Sequence, residues 1–215
     1  MIEFLVSGGP VMVPIGLLSL VGLAVFLERA FALRRGRVVP RSFAVELDEL
    51  VRQRRFGDAH TLCRKNGTAA SRVADVALAV RGQPRAVIKE RLEEAGRREA
   101  AELERNSGML GTVASVSPLL GLLGTVWGMI LTFEVIQEQG VGVVGSLAGG
   151  ISQALITTMA GLSVGIPALI GYRWILSRVD EHTLSLEDLA LSLLDQLAGD
   201  AIEAAPARNE PAEAG

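Results

Sequence analysis

Three long stretches of this chain carry no charge. They lie between Glu3 and Glu28, between Arg105 and Glu134, and between Glu138 and Arg173. Each exceeds the roughly 20 residues a helix needs to cross the hydrocarbon core of a bilayer. The pattern predicts an all-α membrane protein with three transmembrane helices. Pro10 and Pro14 suit the start of the first helix, where proline sacrifices no hydrogen bond, and that helix is expected to run to about Arg35.

The polar stretches predict helices too. A break is expected at 36–40. Ser42 is then a plausible N-cap for a helix to about Phe56, with Phe43, Leu47, Leu50 and Val51 on one face. Gly57 and Asp58 open a short helix carrying His60 and Cys63. Asn66, Gly67 and Thr68 form a turn and cap, and the following helix reaches about Arg81. Gly82, Gln83 and Pro84 break the chain again. From Arg85 acidic and basic residues recur three and four apart, which stabilises a helix by roughly 0.2–0.5 kcal/mol per pair. No stop signal precedes Met109, so one continuous helix is predicted from the polar region through the second span. After the third span, Leu186, Leu189, Leu193 and Leu197 mark an amphipathic continuation. Residues 199–215, rich in Ala, Pro and Glu, read as a disordered tail.

The organisation that follows has a leading segment with the first span at 1–35 and a helical loop at 36–107. The second span covers 108–134, a short turn 135–146 and the third span 147–173. An amphipathic helix at 174–198 and the tail at 199–215 complete it. Charge orients these parts. Of 21 Lys and Arg residues, 17 lie from Arg34 to Arg105, and none lies between Arg105 and Arg173. Basic residues stay on the cytoplasmic side of an energised membrane. The N-terminus and the 135–146 turn are therefore expected outside, and the loop, amphipathic helix and tail inside. The first span lacks a basic leader and a small-residue cleavage site, so it is expected to be retained.

Composition narrows the chemistry. Hydrophobic residues make up 49% of the chain and mean hydropathy is +0.37, as three spans require, while the net charge of -3 suggests no nucleic-acid partner. The mixed signs of the 85–105 run favour a solvated or inter-subunit helix face. The single cysteine, Cys63, excludes an internal disulfide, and there is no Cys/His cluster for a metal. No cofactor and no bond-making enzyme chemistry are expected, and His60, Cys63 and His182 read as packing or surface positions.

The candidate chemistry lies in the second and third spans. Gly121, Thr125, Gly128 and Thr132 share one helical face, and Gly124 with Gly128 forms a G-x-x-x-G pair that permits close helix approach. In the third span Ser146, Gly150, Gln153, Thr157, Gly161 and Val164 share a face, with Thr158 beside it. Gly161 and Gly165 form a second small pair, and Pro118 and Pro167 are kink sites. Two readings stand. The hydroxyls bond back to their own helices and the glycines permit packing, or the seam lines a hydrated path. Gln153 is the most polar residue deep in either span. With no carboxylate, His or Lys in the middle of any span, a titrating group would have to come from another chain. Glu28 and Arg29, at the inner end of the first span, serve as an interfacial anchor or as a gate at a pore mouth.

The run PLLGLLGTVWGM at 118–129 resembles the second-span signature of the MotA/TolQ/ExbB proton-channel family, nearest its ExbB branch. Ala154 to Leu162, then Ile166, Pro167, Ala168 and Tyr172, resemble its third-span signature, and Glu28-Arg29 its acidic-basic pair. The resemblance implies an inner-membrane, multi-pass subunit forming a homopentamer around two copies of an ExbD/TolR-like partner. That partner has one span and an essential Asp, and a TonB-like periplasm-spanning protein is a possible further partner. Proton passage would be coupled to force transmission or envelope transport. Thr125 and Thr158 match the family's pore-lining threonines, with Thr157 and Gln153 beside them. Two positions depart from the pattern: Gln153 stands where the family usually has Glu, and Arg173 where it has Asn. Glutamine keeps the shape but cannot ionise, so a non-conducting ring that holds a partner is the alternative function.

Overall fold

A leucine- and valine-rich helix, α1 (Met12–Ala32), is the first described helix in the computed structural model, which describes the backbone of residues 8–139 and 144–203. Short helices follow: α2 (Arg35–Val38), α3 (Arg41–Arg52), α4 (Phe56–Asn66) and α5 (Ala69–Ala79). Then come α6 (Arg85–Glu104), α7 (Ser107–Gln139) and α8 (Val144–Glu203). Among the described residues there is no strand. Three helices, Met12–Ala32, Ser107–Gln137 and Ala148–Ala198, contain stretches long and apolar enough to cross a membrane.

The chain divides into two compact units. The first comprises the described residues up to Phe31 together with Arg105–Ser177. In it α1, α7 and the first part of α8 pack side by side. Gly22 of α1 faces Val113 and Leu110 of α7, and Gly171 of α8 faces Phe26 of α1. Gly111 faces Tyr172 while Gly128 faces Ala154, so α7 and α8 run antiparallel. At 33 residues, α7 is about 50 Å long, well beyond the roughly 30 Å of hydrocarbon.

The second unit comprises Ala32–Glu104 with the part of the chain from Arg178 onward. Its core joins Phe43, Leu47, Val51, Cys63, Val73, Leu78, Ile88 and Leu92 to Leu186, Leu193 and Leu197. Heptad-like leucines on α8 thus find the apolar faces of α3 to α6, as amphipathic period predicts. Polar ties pin them. Arg85 pairs with Asp195 at 2.8 Å, and Gln196 Nε2 donates to Asp48 at 2.7 Å. Arg72 grips Glu99 with two bonds of 2.5–2.6 Å, which raises its affinity for the proton still further. Buried His182 meets the Leu33 carbonyl at 2.8 Å, and His60 meets Asp75 at 2.6 Å. Burial, reinforced by the Asp75 charge, pushes the Cys63 thiol up to about 12, which leaves it un-ionised and inert at neutral pH.

Several boundaries differ from the sequence expectation. The helix expected to run unbroken from Arg85 is interrupted between Glu104 and Ser107, where Asn106 adopts φ +64°. Asparagine tolerates this left-handed geometry, and the Met109 amide donates to the Asn106 carbonyl at 3.2 Å, starting α7 afresh. Ser42 is not the cap of α3. Pro40 occupies that place without a side-chain bond, and the helix stops at Arg52 instead of Phe56 because Arg54 turns to φ +57°. The break expected at 36–40 holds one helical turn, α2. Thr68 does cap α5, accepting from the Ser71 amide at 3.3 Å, after Gly67 at φ +63°. At the other end α8 continues to Glu203, into the stretch expected to be disordered, and 204–215 lie outside the described residues.

Two glycines make the packing testable. A Cβ at Gly161 would stand 2.5 Å from the Ser117 carbonyl oxygen and 2.9 Å from the Gly121 α-carbon, both backbone atoms that cannot swing away. Gly96, in α6, has nothing within 4 Å. Thermal unfolding in detergent is expected to show Gly161→Ala destabilised by about 1–3 kcal/mol through overpacking. Gly96→Ala is expected to gain about 0.5–1 kcal/mol, because alanine is the better helix former.

Candidate ion-path site between the second and third spans

The contact between α7 and α8 is a ladder of small residues. A Cβ at Gly121 would lie 3.0 Å from the Thr157 carbonyl oxygen and 3.1 Å from the Thr158 α-carbon; one at Gly124 would lie 2.5 Å from Thr157 Cβ. At Gly128 it would meet Ala154 Cβ and the Gly150 carbonyl, each at 3.1 Å. At Gly165 it would stand 2.6 Å from Pro118 Cγ and 3.2 Å from the Ala114 carbonyl oxygen. Pro118 has no N–H to give that carbonyl, and Gly165 leaves room beside both the ring and the acceptor that the proline frees. Every rung therefore needs a glycine on at least one side.

The hydroxyls divide by where they point. Thr132 donates to Gly128 at 2.8 Å, Thr157 to Ala154 at 2.8 Å and Thr125 to Leu122 at 2.6 Å, all within their own helices. Thr158 alone among these four crosses the seam, donating to the Gly121 carbonyl at 3.1 Å. Thr157 is 1% exposed and enclosed by Gly124, whereas Thr125 and Thr158 are half-buried. The second-span face that meets the third span is thus Gly121, Gly124, Gly128 and Thr132. Thr125 sits one row off it. On the third span Gly150, Ala154, Thr157, Thr158, Gly161 and Gly165 make the contact; the Ser146 side chain lies outside the described residues.

Gln153 is half-buried, and its amide rests against Gly9, just ahead of α1. Gly9 was not singled out from the sequence; a glycine immediately before proline, outside any helix, was the available signal. Pro167 lines an apolar groove of about 670 Å³ with Phe26, Val113, Gly171 and Trp174. Arg29 is 5% exposed and pairs with the Glu28 carboxylate at 2.7 Å, which also lies beside Asn106 and Arg105. That pair ties the end of α1 to the start of α7. Among the described residues no cluster of His, Cys, Asp and Glu suits a metal. The site can accept and donate hydrogen bonds, but its own interior groups cannot titrate.

Known proteins share sequence with this chain across both spans of the seam. Residues 64–188 match the profile of the MotA/TolQ/ExbB proton channel family, which includes both spans of the seam. A putative biopolymer transport protein, ExbB-like 1, of Synechocystis sp. is 33% identical over 183 residues, covering 81% of this chain and 70% of that protein. The Tol-Pal system protein TolQ of Haemophilus influenzae is 40% identical over 100 residues, 45% of this chain and 44% of that one. The biopolymer transport protein ExbB of Pseudomonas putida is 26% identical over 193 residues, 86% of this chain and 58% of its own length. The chain thus spans less than two thirds of the last two. With three apolar helices, a glycine-threonine seam and a profile match over more than half its length, the chain belongs to the MotA/TolQ/ExbB proton channel family.

Proposed function

We propose that this chain is the ring-forming subunit of an inner-membrane proton channel or stator. With an ExbD/TolR-like single-span partner it couples the proton motive force to force transmission or energised transport across the envelope. The observation that carries this reading is the cross-helix bond from Thr158 to the Gly121 carbonyl, at 3.1 Å. It holds a half-buried hydroxyl in a fixed place on the second and third spans without using a titratable group. Thr125 and Gln153 supply further half-buried polar groups on the same helix pair, and Thr157 fixes the pair by filling the space at Gly124. A partner carboxylate would provide the titration.

The packing supports assembly. Only 22% of the apolar stretch of the second span is buried within the chain. Leu119, Leu122, Val126, Leu155 and Ile166 are each more than half exposed, a surface suited to lipid and to neighbouring copies. Five copies around two partner helices, N-termini outside and the polar helices in the cytoplasm, is the arrangement the family resemblance implies. The neutral Gln153 favours a second reading, a non-conducting ring that holds its partner.

Two measurements test these readings. The mass of the detergent-solubilised complex is expected to correspond to five copies of this chain with two of the partner, and a stable monomer would sink both. In liposomes, the complex with its candidate partner is expected to pass protons under an imposed gradient. Thr158→Val should lower that flux roughly tenfold, as loss of about 1.4 kcal/mol of favourable interaction would, and a partner lacking its Asp should abolish it. Flux that is absent from the intact complex but appears with Gln153→Glu would favour the scaffold reading.

A further inference from the structure

The surface beneath Gln153 has a defined shape. Gly9 lies at φ +72°, a region that residues with a Cβ rarely adopt, and it precedes Pro10, which narrows the choice further. A Cβ added there would fall on the Gln153 amide nitrogen and stand 3.2 Å from Cδ and 3.9 Å from Cγ. The amide therefore occupies the place of a missing side chain. The turn itself is firmly made. The Met12 amide donates to the Gly9 carbonyl at 3.1 Å, and the Val13 amide to the Pro10 carbonyl at 3.3 Å. One residue earlier, buried Gly8 leaves room for the Met12 side chain, and a Cβ there would be 3.4 Å from Ile156 Cγ2. Gln153 and Ile156 are three residues apart, on adjacent turns of α8, so the turn docks on one patch of the third span.

We propose that Gly9 is a positioning residue for Gln153: its bare, left-handed backbone is the seat that fixes how the amide presents its donors and acceptor. The Gly9 carbonyl accepts from the Met12 amide, which holds the seat in place. With one flank covered by the turn, the half-buried amide keeps its hydrogen-bonding capacity for water or for a group of a second chain. A mobile amide in apolar surroundings would instead fold back onto a nearby helix carbonyl, because leaving it unpaired is costly. The seat rests on geometry alone; only its effect on flux rests on the proposed ion path.

The test is a double-mutant cycle in the assembled complex, comparing the unaltered chain with Gly9→Ala, Gln153→Ala and the pair. Proton flux into liposomes and the melting temperature are both measured. Gly9→Ala is expected to lower flux roughly tenfold when Gln153 is present, the size of a lost hydrogen-bond contact, and to change it by less than about twofold when Gln153→Ala has removed the amide. Backbone strain at position 9 lowers the melting temperature in both backgrounds, and the loss is expected to be larger with Gln153. Equal losses in both backgrounds would overturn the proposal and leave Gly9 as a turn residue only. If the unaltered complex passes no protons, the ion-path reading fails and the melting cycle alone decides the seat. Should Gly9→Ala not assemble, hydrogen exchange of the Met12 amide, which donates to the Gly9 carbonyl, reports on the docked turn without altering it. Exchange several-fold faster in Gln153→Ala than in the unaltered chain supports the seat, and equal rates overturn it.

Discussion

Close approach of the second and third helices is the constraint on which the membrane unit depends. In lipid, apolar side chains gain little by leaving one hydrocarbon surface for another, so helices associate through van der Waals contact and hydrogen bonds. Both fall off within an ångström. Glycines at 121, 124 and 128 on one helix, and at 150, 161 and 165 on the other, bring backbones into direct contact. Once the backbones are that close, the Thr158 hydroxyl reaches a carbonyl on the neighbouring helix. The same hydroxyl on a leucine-separated pair would have only its own helix to bond.

The prolines are accommodated by the same device. Pro118 removes a backbone donor in the middle of α7, where no water is available to replace it. The freed Ala114 carbonyl and the Pro118 ring both lie beside Gly165. A single glycine thus leaves room for a proline ring and for the carbonyl that the proline frees. Glycine and proline, both poor helix residues in water, become complementary here because each supplies what the other lacks: one gives room, the other a rigid bulge to fill it.

Much of this was legible in the sequence, and the misreadings have physical causes. The three spans follow from charge-free runs, and the facing pairs Gly124/Gly128 and Gly161/Gly165 follow from four-residue spacing. The exact row on α7 did not follow. Gly121 begins two stripes, one through Thr125 and one through Gly124, that lie about 100° apart on the helix. Spacing alone assigns neither to the neighbouring helix, and packing on Thr157 selects Gly124. The interruption at Asn106 was hidden because charged pairs run up to it with no proline or glycine after Gly96, and one left-handed residue suffices to end a helix. In the polar unit Thr68 was legible as a cap because it follows Gly67. Ser42 was misleading because the rigid Pro40 had already set the chain's direction.

Gln153 shows where sequence reasoning runs out and three-dimensional packing takes over. Read along the helix, it is a neutral replacement in a row of small and hydroxylated residues, and its only evident property is the lost charge. In the structure it is also the residue on which the turn before the first helix rests, separated from it by 144 positions in the chain. A glutamate at this position would have the same length and could occupy the same place. It would bring a negative charge to the start of α1, the positive end of the helix dipole. An amide gains less from that field but needs no counter-charge in the hydrocarbon. The two residues therefore balance different costs within one shape, and the exchange can leave the fold intact while changing only what the site offers to a neighbouring chain.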